Sequence, residues 1–126
     1  MSTIAVIGAS SDRRKFGNKC VRAYQRCGYQ VYPINPNETT IEGLTAYKSI
    51  AEVPADTIDR VSVYLPPTVG VKVMDDIAQK KVGEVWLNPG ADGPQVVARG
   101  RELGLNVITD CSIVDIGVSP SELSEH

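Results

Sequence analysis

Gly8, Ala9, Ser10 and Ser11 follow an apolar run, and Arg13, Arg14 and Lys15 come directly after them. A glycine lets the chain turn sharply and approach a ligand closely. Hydroxyls, together with the unpaired N–H groups that open a helix, favour a bound phosphate. Arginine can hold a second phosphate through two parallel hydrogen bonds. The alternative is a plain strand-to-helix turn with solvated charges. The position after the first strand favours the phosphate.

Other chemistry is sparse. The one histidine, His126, is the last residue. Without a histidine in the body there is no Ser-His-Asp or Cys-His pair and no histidine-based metal site. Cys20 and Cys27 lie two turns apart on one helix face and read as packing thiols. Cys111 stands where the last strand ends, so either a packed or a reactive thiol fits. Asp75 and Asp76 are adjacent and point different ways on a helix, which suits a solvated face. Trp86 sits within a strand and reads as core. The expectation is a binding site without a catalytic set or a metal, and not an enzyme.

Strand-like and helix-like segments alternate along the chain. Strands are expected at 3–8, 29–35, 60–66, 84–90 and 106–110. Helices are expected at 15–28, from a Thr68 cap to about Lys81, and from Asp92 to Gly104, with a short turn at 51–54. In the first helix Phe16, Cys20, Tyr24 and Cys27 share one face, and Lys19, Arg22 and Arg26 the opposite one. This alternation implies a parallel sheet with right-handed crossovers. The fold class is α/β, a doubly wound, Rossmann-like three-layer sandwich with five parallel strands. Residues 1–126 form one domain, with a polar tail at about 117–126.

Composition bounds the partners. Apolar residues make up 42% and charged residues 22%, ordinary for a globular chain. Net charge is −2. Residues 1–30 hold six basic side chains and one acid, a local +5, and the rest carries −7. A small anion near the first loop is favoured over nucleic acid, which the remaining surface would repel. No run is long enough to span a membrane. No basic leader or cleavage site is visible, and the three cysteines form no CxxC pair, so a cytoplasmic protein is expected.

In such a fold, ligands sit outside the carboxyl ends of the strands. Four further loops lie there. Asn35, Pro36 and Asn37 follow the second strand, where dinucleotide enzymes carry an acid for ribose hydroxyls. That difference argues against NAD. Leu65, Pro66, Pro67 and Thr68 follow the third strand, and the two prolines make a rigid apolar wall. Asn88, Pro89 and Gly90 follow the fourth, and Thr109 to Ser112 the fifth.

At these residues the chain resembles the small, single-domain CoA-binding proteins. It is similar to the N-terminal CoA-binding domain of the succinyl-CoA synthetase α subunit and of NDP-forming acyl-CoA synthetases. The resemblance covers about residues 3–112, through AVIGAS, KFGN, VYPINPN, GLTAYKSIAEVP, VSVYLPP and EVWLNPGA in that order. It implies that coenzyme A or an acyl-CoA is the ligand. Gly8, Ala9, Ser10, Ser11, Arg13, Arg14 and Lys15 would meet its phosphates. Asn35, Pro36 and Asn37 would flank the nucleotide. Leu65, Pro66, Pro67 and Thr68 would line the adenine or pantetheine path, with Asn88, Pro89 and Gly90 farther along. Two departures stand out. Asn37-Glu38 replaces the lysine often found after the second-strand Asn-Pro pair, and Asp110 and Cys111 are adjacent rather than one residue apart. The phosphohistidine of succinyl-CoA synthetase lies in a second domain that these residues do not include.

Intact ligand loops beside a missing catalytic set make a non-catalytic CoA-binding, sensor or regulatory module the leading expectation. A detached CoA-binding subunit of an acyl-CoA synthetase, with a partner chain, is the alternative, and a homo-oligomer fits either. An NAD(P)-binding redox sensor, with Arg13 and Arg14 on a 2′-phosphate, is the third reading.

Overall fold

The computed structural model describes residues 1–126. A sheet of five parallel strands runs in the order β2-β1-β5-β6-β7. Its members are β1 (Thr3–Ile7), β2 (Gln30–Ile34), β5 (Thr57–Val63), β6 (Lys81–Leu87) and β7 (Val107–Ile108). Between β2 and β5 a small antiparallel hairpin pairs β3 (Thr40–Ile41) with β4 (Leu44–Thr45). The helices are α1 (Phe16–Arg26), α2 (Pro67–Ile77), α3 (Pro94–Glu102) and α4 (Ser112–Asp115).

Alternation along β1 divides the core in two. Ala5 and Ile7 pack with Met74 and Ile77 of α2 and Val96 of α3. Ile4 and Val6 face the other way, onto Cys20, Val21 and Tyr24 of α1 and Ile113 of α4. The sheet is buried on both faces, which is why its strands read as near-continuous apolar runs. These three layers match the expected fold class.

Element boundaries differ where polar residues are used inside the fold. The third sheet strand starts at Thr57, because the Asp59 carboxylate accepts the Thr3 N–H at 2.8 Å. Arg60 pairs with Glu84 on β6 and with Asp115 on α4. The second helix stops at Ile77 rather than near Lys81, and Gly83 lies inside β6, where a Cβ would come within 2.5 Å of the Asp59 carbonyl oxygen. α2 starts at Pro67 with Pro66 as its cap, so Thr68 is in the first turn. Proline suits that position because the first-turn N–H has no intrahelical partner. Asp92 likewise is not the cap of α3. Gly93 is, while Asp92 accepts the Gly90 N–H at 3.2 Å.

The expected tail is a packed strap. Val118 and Leu123 are buried against the α1 side of the core. Lys19 bonds Glu125 at 3.0 Å, and Arg26 meets Glu122 at 3.3 Å. Lys19 is therefore buried rather than exposed, because the strap folds back across α1. Phe16 and Cys27, expected on the apolar face, are exposed at opposite ends of the helix.

Candidate functional site

The strand order places a switch point between β1 and β5, where successive crossovers leave in opposite directions. A cleft of about 700 Å³ opens there. Its walls are the loops after β1, β2, β5 and β6, the start of α1, and Cys111. That volume falls in the range of small-molecule sites.

The β1 loop is built for close approach. Gly8 has φ +89°, and its N–H returns to the Ile34 carbonyl at 3.2 Å. Asn35 Nδ2 donates to the Ala9 carbonyl at 2.8 Å, and Asn18 Nδ2 donates to the Ser10 carbonyl at 2.8 Å. These bonds occupy the carbonyls of Ala9 and Ser10 with side-chain donors. The N–H groups of Ala9, Ser10, Phe16 and Gly17 donate to no protein acceptor. All four residues line the cleft. Unpaired donors converging at a helix start form an anion cradle. Lys15, beside them, is the cationic residue of the cleft wall and makes no ion pair.

The remaining charges are spoken for. Arg14 donates to both carboxylate oxygens of Asp12, at 3.0 and 2.9 Å. That fork holds the Asp12 carboxyl down at about 2. Arg13 lies 3.5 Å from Glu42 and also donates to the His126 carbonyl. Its Nε is buried without a hydrogen bond, so the Glu42 contact there is a charge pair of poor alignment. Arg22 donates to Asn18 Oδ1 at 2.7 Å and to the Arg13 carbonyl at 3.1 Å. The local +5 is thus largely neutralised within the fold.

Behind the cleft lies a buried polar network. Asn88 Nδ2 donates to Ser62 Oγ at 2.8 Å and to the Val63 carbonyl at 3.0 Å. The Ser112 N–H donates to Asn88 Oδ1 at 2.9 Å, and the two serine hydroxyls lie 2.8 Å apart. Tyr24 donates to the Ser112 carbonyl at 2.8 Å. Burial pushes the Cys20 thiol and the Tyr64 hydroxyl up, so both stay neutral. The Asn88 side chain therefore braces the site from within rather than facing a ligand.

The sequence model of the CoA binding domain matches residues 2–117. The chain belongs to that family. The α subunit of ADP-forming acetate–CoA ligase II from Pyrococcus furiosus is 37% identical over 91 residues, 69% of this chain and 19% of that subunit. A Thermus thermophilus protein of known structure superposes with a TM-score of 0.84 at 27% identity, covering 92% of this chain and 88% of its own. The dinucleotide-forming acetyl-coenzyme A synthetase 1 of Ca. Korarchaeum cryptofilum gives 0.75 at 28% identity, covering 86% of this chain and 26% of the synthetase. The chain spans about a fifth or less of the length of the curated ligases it matches first.

In this CoA-binding domain the cleft gathers Gly8, Ala9, Ser10, Lys15, Asn35, Pro36, Asn37, Leu65, Pro66, Pro67, Asn88, Pro89 and Gly90. Ser11, Arg13, Arg14 and Thr68 lie outside its wall. The arginines are drawn off by Asp12 and Glu42, and Thr68 by the earlier start of α2. Phe16, Gly17, Tyr64 and Ala91 line the cleft without having been singled out from sequence. Phe16 read as an apolar-face residue, yet as the first residue of α1 it stands beyond the core at the sheet's carboxyl end.

β2 ends at Ile34 and is followed by Asn35, Pro36 and Asn37, as expected, and the loop continues to an acid, Glu38, outside the cleft wall. The Asn37 N–H turns back to Asn35 Oδ1 at 2.7 Å, and this tight turn returns Glu38 to the β1 loop. Glu38 Oε2 accepts the Ser11 N–H at 3.0 Å and Asn35 Nδ2 at 3.3 Å.

Proposed function

We propose that this domain binds coenzyme A or an acyl-CoA in the switch-point cleft, as a non-catalytic binding, sensor or regulatory module of the cytoplasm. The four unpaired N–H groups of Ala9, Ser10, Phe16 and Gly17 carry the reading. They suit the diphosphate of CoA, and Lys15 adds charge. The Pro66-Pro67 wall and Phe16 offer apolar surface for the rest of the ligand. Family membership supports the choice of CoA over other diphosphates.

Calorimetric titration with CoA and acetyl-CoA tests this. Saturable binding with no hydrolysis or transfer of the acyl group is expected. Absence of binding at millimolar concentration, or acyl turnover, would overturn it.

A second reading is favoured by the 37% identity to a ligase α subunit. There the domain would supply the CoA site to a synthetase partner chain. Pull-down from the native source followed by gel filtration distinguishes the two. The second reading expects a stable complex with a larger chain, and the first expects this chain alone or as a homo-oligomer.

A further inference from the structure

Resting on the reading that the cleft holds coenzyme A, we propose that Cys111 captures the coenzyme from its disulfides and holds it in the cleft as a mixed disulfide. The domain then responds to the redox state of its ligand as well as to its concentration.

Three observations carry this. The first is placement. Cys111 stands on the wall of the cleft that carries the four unpaired N–H groups. Its backbone is fixed there. The Cys111 N–H donates to Asp110 Oδ1 at 2.8 Å, and the next N–H, of Ser112, donates to Asn88 Oδ1 at 2.9 Å. Asn88 follows β6, which lies two strands across the sheet from β1. At ordinary strand spacing that is about 10 Å. A pantetheine arm leaving the diphosphate is long enough to cross this span, so its sulfur reaches the Cys111 wall. The second is availability. The Cys111 thiol is free and partly exposed, whereas Cys20 is buried and burial pushes its thiol up. Cys27 is exposed, but it caps the far end of the 11-residue α1. That places it about 16 Å along the helix from the cleft. The third, independent of any cysteine, is the cradle formed by those N–H groups and Lys15. It draws a CoA disulfide into the cleft by its diphosphate, so exchange at Cys111 becomes a reaction within one complex.

The Cys111 thiolate attacks one sulfur of the bound disulfide. A new S–S bond joins Cys111 to one CoA, and the old S–S bond breaks. The second CoA leaves as a thiolate and takes up a proton from solvent, replacing the one that Cys111 released. One disulfide replaces another, so no further oxidant is needed.

The test incubates the reduced domain with CoA disulfide or with pantetheine disulfide, which has the same thiol arm without the phosphates. Peptide mass spectrometry assigns the adduct among the three cysteines, and calorimetry reports binding of CoA itself. CoA disulfide is expected to load one CoA on Cys111, removable by dithiothreitol. Its initial rate should saturate and exceed that of pantetheine disulfide by roughly tenfold or more. Labelling of Cys27 ahead of Cys111, equal rates for the two disulfides, or no adduct on a domain that binds CoA overturns the capture and leaves the CoA reading intact. No binding of CoA overturns both.

Discussion

A Cβ on Gly17 would lie 2.1 Å from the carbonyl oxygen of Gly8. The first turn of α1 thus rests directly on the β1 loop, backbone against backbone. Gly8 is equally confined, since a Cβ there would come within 2.6 Å of the Tyr64 carbonyl oxygen at the end of β5. Loop, helix start and third strand are locked together by two residues without side chains. Gly17→Ala must push the helix off the loop. It is expected to cost about 3 kcal/mol, the upper range for overpacking, and to weaken ligand binding along with stability. Urea unfolding of the variant checks this, and an unchanged midpoint would contradict the contact.

Asn88 joins β6, β5 and α4 through one buried amide. Asn88→Ala leaves the Ser112 N–H and the Val63 carbonyl without their side-chain partner. A loss of about 2–3 kcal/mol is expected, as for buried groups stripped of a partner. Chemical denaturation measures it. A loss near zero would mean that the serines re-pair with each other alone.

How far the fold could be read from the residues depends on where the apolar signal lies. TIAVI and VSV are nearly continuous because their strands are covered on both faces, with Ser62 the buried polar exception, so the sheet and its loops were legible. Asp59 and Arg60 hid the start of β5, since their polarity serves bonds to Thr3, Glu84 and Asp115 that only the fold reveals. The Glu42-Gly43 turn, with φ 49° and 78°, makes a tight hairpin. An Ile and a Leu flanking a glycine were its only signal. The cleft was legible because strand ends fix the loops. The fate of the cations was not, because Glu42, Glu122 and Glu125 reach α1 from distant parts of the chain.

Asp12 makes the start of α1 sensitive to acid. Its carboxyl falls from 3.8 to about 2, chiefly through the Arg14 fork and then through the Arg14 N–H at 3.1 Å. A lowered carboxyl stabilises the fold above its unfolded value, and that contribution disappears as pH falls through the folded one. The window therefore runs from about 4 down to about 2. An NMR titration of the Asp12 carboxyl should give a midpoint near 2 that Arg14→Ala raises. An unshifted wild-type midpoint would dissolve the pair.

The C-terminal strap contributes to the core. Leu123 is 7% exposed and packs beside Val118 on the α1 side. Leu123→Ala should cost about 2 kcal/mol, the lower end for a buried leucine at the rim of a core. Thermal melting reads this, and a melting temperature equal to wild type would show that the strap lies free in solution.

The central claim is that the N–H groups of Ala9, Ser10, Phe16 and Gly17 receive the diphosphate of coenzyme A. Amide NMR of the labelled domain during CoA titration addresses those four groups one by one. The account predicts that their resonances move most, saturate together, and move less when Lys15 is changed to alanine. Largest shifts elsewhere, such as around Tyr29 and Tyr32 at the sheet edge, or no saturable shift at all, would contradict it.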